Sequence, residues 1–256
     1  MAAGIRLIGT HKGQSIMNAQ TPKTPTSSVS TGGIFSAASL QFLKQLAQNN
    51  SREWFKAHQD EYENSVRTPA LRFIEQMQPS ILALSPKLTA VPKKVGGSLM
   101  RPQRDSRFSK DKTPYKTNVG IQFRHFQGKD VHAPGLYLHI AEEGCFIAAG
   151  IWHPESKALN AIRRCIDENP NAYQKALKAL QSQGFIMDGD SLSRPPKGYD
   201  KTHPLLQELK RKDFIAVKNI DFEELCKPGS VNFCAEQFQH CSQLMAYLCF
   251  ALELDF

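Results

Sequence analysis

Arg101, Arg104 and Arg107 recur at three-residue steps in a segment that runs on through Lys110 and Lys112 to Lys116. Six cations stand within sixteen residues, and only Asp105 and Asp111 offset them. A guanidinium is a planar fork whose paired N–H donors match two oxygens of a phosphate or carboxylate, which a lysine ammonium cannot do. Cations crowded in partial burial cost on the order of several kcal/mol unless an anion answers them. Two aspartates cannot neutralise six cations, so these residue types point to an anion from outside the chain. In that reading Arg104, Arg107 and Lys112 are its ligands, Asp105 and Asp111 orient the cations, and Tyr115 adds a hydroxyl. Arg52 and Arg194 are the candidates to join them from elsewhere in the chain. The competing reading makes the same residues an internal ion-pair network that closes a loop over a sheet, with Lys110 and Lys116 turned to water.

Other residues with chemical capacity are more isolated. Arg194-Pro195-Pro196-Lys197-Gly198-Tyr199 is a rigid basic loop with an aromatic tip; it reads as a surface loop whose tyrosine packs on the domain, or as a second wall of the arginine site. His153 follows Trp152 at the end of a strand, and His139 shares a strand face with Tyr137; each is a candidate acid or base, and each is also what a packed histidine looks like. No Ser-His-Asp spacing, His-Glu-x-x-His pair or phosphate-binding glycine loop is present, so those mechanisms have no local support. The cations around Asp105 and Asp111 oppose a divalent ion. We expect no metal and no cofactor.

The elements that must position these residues follow from periodicity. Residues 1–33 contain no acid and many Ser, Thr, Pro and Gly, a composition that buries too little apolar surface to fold, and read as a disordered leader ahead of one domain over 34–256. Its acid-poor, hydroxyl-rich character also suits a mitochondrial targeting segment, although Arg6 is its one arginine, and Met17 offers a second start. Leu40, Leu43 and Leu46 mark a first helix capped by Ser36 or Ser39. Trp54, Phe55, His58, Tyr62 and Val66 mark a second from Arg52 to about Val66, and Thr68-Pro69 starts a third. Val91 to Met100 reads as strand. Val119, Ile121 and Phe123 alternate with Gly120, Gln122 and Arg124, 135–141 repeats the two-residue period, and 145–151 returns as a more uniformly apolar strand, which predicts an antiparallel meander. Helices follow from Ser156 and Pro170, then a small hairpin over 185–193, a short helix after His203-Pro204 and a strand at 214–217. Val231, Cys234, Phe238, Cys241, Met245, Leu248 and Leu252 step by three and four and predict one long final helix. The fold class expected is α+β, a single domain with an antiparallel meander packed by N-terminal and C-terminal helices.

With 32 Lys plus Arg against 24 Asp plus Glu, the net charge is +8. That balance attracts anionic metabolites, nucleic acid or an acidic partner alike and says nothing of fold. Six cysteines without a Cys-x-x-Cys pair read as unpaired thiols of a reducing compartment, hence a cytoplasmic protein. No apolar run reaches the roughly 18 residues of a membrane span.

A resemblance is carried by Arg104-Asp105-x-Arg107-Phe108 followed by Asp111-Lys112-x-Pro114-Tyr115-Lys116. In order along the chain it extends to Asn50-x-Arg52-x-Trp54-Phe55, Tyr62, Gly150-x-Trp152-x-Pro154, Arg194-Pro195-x-x-Gly198-Tyr199, His203-Pro204 and Lys212-x-Phe214. With these motifs residues 35 to 250 resemble the microbial family known as domain of unknown function 2461. The resemblance implies a free-standing single domain and carries no activity across. This chain departs from the family's pattern at Ala148 and Ala149, where relatives tend to glycine. Two functional readings stand, in order: a domain that binds a phosphorylated or otherwise anionic small molecule, with or without turnover, and a nucleic-acid-binding module with Phe108, Tyr115 or Tyr199 as stacking faces. A non-catalytic interaction scaffold is the third.

Overall fold

The leucines that mark the first helix do sit on one, α1 (Ala37–Gln48), with Ser36 as its N-cap. The structure is a computed structural model that describes residues 33–105, 107, 110–127 and 134–256. The chain divides into two units, Met1–Ser30 and Thr31–Phe256, and the expected leader lies, except for Gly33, outside the described residues. Ser51 restarts the chain after α1 by accepting a hydrogen bond from the Trp54 amide at 3.1 Å, which caps α2 (Arg52–Ala57).

The single helix expected from Arg52 to Val66 is instead divided. α2 closes at His58, α3 (Gln59–Tyr62) follows, and a π-helical turn over Glu63–Arg67 runs without a break into α4 (Thr68–Leu84). Thr68-Pro69 therefore does not start a new helix. Pro69 has no N–H to offer the Ser65 carbonyl four residues back. The buried hydroxyl of Ser39, on α1, donates to that carbonyl at 2.6 Å, so a tertiary contact satisfies what the proline leaves open.

The meander forms as the alternation predicts. The strands are β1 (Leu88–Thr89), β2 (Asn118–His125), β3 (Gly135–Ala141), β4 (Gly144–Ile151), β5 (Ile186–Asp188) and β6 (Phe214–Ile220), in the order β1-β2-β3-β4-β6-β5, with every neighbour antiparallel. Two strand expectations are corrected. Val91 to Met100 is mostly turn, because the Lys93 and Ser98 amides both donate to the Val91 carbonyl, at 2.9 and 2.8 Å, and the segment meets the sheet at the Leu99–Ile121 bridge and where the Ser98 hydroxyl donates to the Thr89 carbonyl at 3.4 Å. Residues 185–193 are no hairpin: β5 pairs with β6, while Ser191 bridges to Arg211.

One face of the sheet carries the core. Val119, Ile121 and Phe123 of β2, Leu136, Leu138 and Ile140 of β3, and Ile147 of β4 are each at most 4% exposed, and each such side chain contributes about 1.5–3 kcal/mol of burial. Against them pack α1, α4, α9 (Ser230–His240) and α10 (Ser242–Ala251), with the Phe123 and Phe238 rings edge to face at 5.7 Å. The long final helix expected is two helices, because the Cys241 amide donates to Phe238 three residues back at 3.0 Å and turns the chain there. Outside α10 lie α5 (Ser156–Glu168) and α6 (Pro170–Ser182), and the short α7 (Leu206–Leu209) and α8 (Phe222–Cys226) flank β6 in the chain. The opposite face, which bears Gln122, Tyr137, His139 and Phe146, is only half covered. The class is α+β, with an antiparallel sheet and helices from both ends of the chain.

Candidate functional site

The basic segment is held by its two ends. The Arg104 amide donates to the Pro114 carbonyl at 2.9 Å and the Lys116 amide to Pro102 at 2.8 Å, and between them Gln103 bridges Tyr115. Residues 102–104 and 114–116 thus form a short antiparallel ribbon that feeds directly into β2. Asn50, in the turn between α1 and α2, clamps it. Its side-chain amide donates to the Tyr115 carbonyl and its side-chain oxygen accepts from the Tyr115 amide, both at 3.0 Å. The Tyr115 ring stacks on Phe55 of α2 at 4.0 Å between centroids. Alternation then directs Tyr115 and Val119 to the helical side, and Lys116 and Asn118 to the other face.

The clamp brings α2 and the ribbon together around a cavity of about 270 Å³ lined by Arg52, Gln103, Arg104, Lys112, Pro114 and Tyr115. Of the side chains named from the sequence, Arg52, Arg104, Lys112 and Tyr115 share this wall, while Asp105, Arg107, Asp111 and Arg194 do not line it. Arg194 is exposed on its own loop, and Tyr199 of that loop packs partly buried against the core with its ring edge-on to His203. Phe108 lies outside the described residues.

Ion pairing inside the segment is real but incomplete. Arg107 grips Asp105 with two donors, at 3.0 and 2.7 Å, which holds the Asp105 carboxyl at about 2. Arg104 Nη1 meets Asp111 Oδ2 at 2.7 Å, and the Asp111 carboxyl lies below its ordinary range chiefly because the Thr113 amide and hydroxyl donate to it. Arg104 Nε is buried with no hydrogen-bond partner among the described residues. Lys110 is exposed as expected. Lys116 is not solvent-facing: it is half-buried, and burial, then the nearby Arg101 and Arg104 charges, pushes its pKa down. Among the described residues no carboxylate pairs with it. Sequence reasoning missed three participants: Gln103, Asn50 as the clamp, and Lys116. Counting parity back from the β2 alternation is the signal that finds Lys116.

Two other histidine sites are ordered. Asp213, 1% exposed, accepts from the His153 amide at 2.7 Å and the Asp190 amide at 2.8 Å, and His153 Nδ1 lies 3.2 Å from it. His153 carries a φ of 47°. His139 stacks on Phe146 at 4.5 Å. No group of three or more metal-ligating side chains is found among the described residues, and no helix among them is long and apolar enough to cross a membrane.

The fold and the cavity together define an α+β protein with a cationic recess where an N-terminal helix meets the ribbon that enters the sheet. Residues 38–247 match the family model described as "Conserved hypothetical protein (DUF2461)", and the chain belongs to that family. No curated protein matches it, and no solved structure does.

Proposed function

We propose that this recess binds a small phosphorylated or otherwise strongly anionic molecule, held by Arg52, Arg104, Lys112 and the Tyr115 segment. The observation that carries the reading is the convergence of Arg52, Arg104 and Lys112 on one recess with no carboxylate among its described lining residues; Lys116, a half-buried ammonium that does not line the recess, adds its charge beside Arg104. A protein that keeps such a charge pays for it in stability unless an anion meets it. The buried, unpartnered Nε of Arg104 supports the same reading. The volume, about 270 Å³, suits one or two phosphate groups better than a strand of nucleic acid. Asp105 and Asp111 in the same loop also repel a continuous phosphate track.

The test is thermal melting and isothermal titration with orthophosphate, pyrophosphate, a sugar phosphate and a short oligonucleotide, at low and high salt. A ligand confined to the native state adds about 2.7 kcal/mol at one hundred times its dissociation constant. A salt-resistant rise with one small anion, lost in Arg104→Met, is the result expected. No rise with any anion, or a rise that only the oligonucleotide gives and salt abolishes, overturns the reading.

A further inference from the structure

The open face of the sheet holds a second and larger cavity, of about 450 Å³, whose chemistry is the opposite of the arginine recess. Strand register arranges its floor in rows. His139 faces Phe146 and Phe146 faces Asn219; next to them Gln122 faces Tyr137, Tyr137 faces Ala148 and Ala148 faces Val217; and beyond them Gly135 faces Gly150 and Gly150 faces Ile215. The middle of the floor is therefore low, built from Ala148 and two glycines, with aromatic rings standing on one side of it. Gly150 has a φ of 130°, and a Cβ there would fall 2.0 Å from the Phe214 carbonyl oxygen, so the sheet's own backbone imposes this glycine. The low floor is fixed by the fold.

The polar groups in the wall are few and mostly uncharged. Burial lowers the His139 pKa, which leaves the imidazole neutral at pH 7, and raises the Tyr137 phenol to about 12; these two meet at 3.2 Å through the hydroxyl and Nδ1. Asp188 is the one charged side chain among the described lining residues. In a chain of net charge +8, a cavity with no lysine or arginine among the described residues of its wall offers an anion no partner there. The Gln122 side-chain amide opens into the cavity with no hydrogen-bond partner among the described residues. It presents one donor and one acceptor side by side. Trp152 stands half-exposed at the mouth.

We propose that this cavity is a binding site for an uncharged planar heterocycle. Its ring lies on the floor at Ala148 against Tyr137, and its edge, offering an acceptor next to a donor, pairs with the Gln122 amide. Apolar walls with a small number of placed polar groups are the usual build of a small-molecule site, and a flat ring uses a flat, low floor. The site is independent of the anion reading: it shares no lining residue with the arginine recess.

The experiment uses the full chain carrying Trp54→Phe, so that Trp152 is the remaining tryptophan and reports at the cavity mouth. The probes are lumichrome, an uncharged planar heterocycle with a donor–acceptor edge; Nile red, planar and uncharged without that edge; and the anion 8-anilinonaphthalene-1-sulfonate. Saturable quenching of Trp152 by lumichrome is expected, with Ala148→Leu weakening it at least about ten-fold by filling the floor. Gln122→Leu, which keeps the volume, is expected to weaken lumichrome by a similar factor and leave Nile red unchanged. The sulfonate is expected not to compete. Orthophosphate is expected to leave the quenching curve where it is, which separates this site from the recess. The proposal is overturned if lumichrome does not saturate, if the sulfonate binds as tightly, or if Gln122→Leu, melting like the parent, binds lumichrome undiminished.

Discussion

Asn50 does more for the candidate site than any of the arginines. A single primary amide answers both the N–H and the C=O of Tyr115, and so joins the α1–α2 turn to the ribbon that feeds β2. Asn50→Ala leaves the Tyr115 amide without its partner and its carbonyl with only the Arg104 Nη2 donor at 3.5 Å, at about 1–3 kcal/mol for a group so orphaned. Urea denaturation is expected to show a loss in that range, and phosphate affinity to fall with it, although no ligand contact has been removed. A variant as stable as the parent would show that water replaces the clamp. Lys116 makes the opposite trade. Lys116→Gln removes a charge that burial and two arginines already disfavour, so the ligand-free protein is expected to melt a few degrees higher while binding phosphate about ten-fold more weakly. A lower melting temperature would mean that Lys116 serves the fold. Of these residues the arginines were legible, since type and spacing alone suggest an anion site. Asn50 was visible only as part of a motif, because what it does is a contact across 65 residues of chain.

Legibility among the elements follows how local each cause is. β2 and β3 were plain because one buried and one half-covered face impose alternation on the sequence itself, and β4 because it is a short apolar run after a turn. The passage through Pro69 was not, because the Ser39 hydroxyl that answers the Ser65 carbonyl lies on another helix, and local signals can only report a proline. The break between α9 and α10 was hidden for a different reason: the apolar stripe continues past Cys241, and one amide bonding three rather than four residues back suffices to turn the chain. The end of β4 offers a sharper test. Gly150 needs both the space and the backbone angle that only glycine tolerates. Gly150→Ala is expected to cost more than about 3 kcal/mol, above the usual range of single substitutions. Loss of soluble expression, or a urea midpoint shifted by that amount, is the readout; Ala149, whose side chain faces the core next to it, should accept glycine at far lower cost, about 1 kcal/mol.

At the scale of the molecule, a net charge of +8 would by itself give weak attraction for any anion, so specific binding must be separated from the diffuse field. The titration of Lys116 does this. Its pKa in the folded protein is depressed, whereas an unfolded lysine titrates near about 10.4. Between those two values the unfolded chain holds more protons than the folded one, so stability rises with pH across that window, and below it the penalty is present in full. Other lysines, tyrosines and thiols titrate nearby, but the difference in unfolding free energy between wild type and Lys116→Gln cancels them. That difference is expected to favour the variant at neutral pH and to shrink as pH climbs toward about 10.4. Saturating pyrophosphate stabilises the ammonium in place, raises its pKa and is expected to reverse the sign of the difference at neutral pH, so that wild type becomes the more stable protein. Sodium chloride at equal ionic strength screens the diffuse field without filling the recess, and is expected to narrow the difference without reversing it. If pyrophosphate and chloride act alike, the anion sees only net charge, and the recess between Arg52 and Arg104 has no ligand of its own.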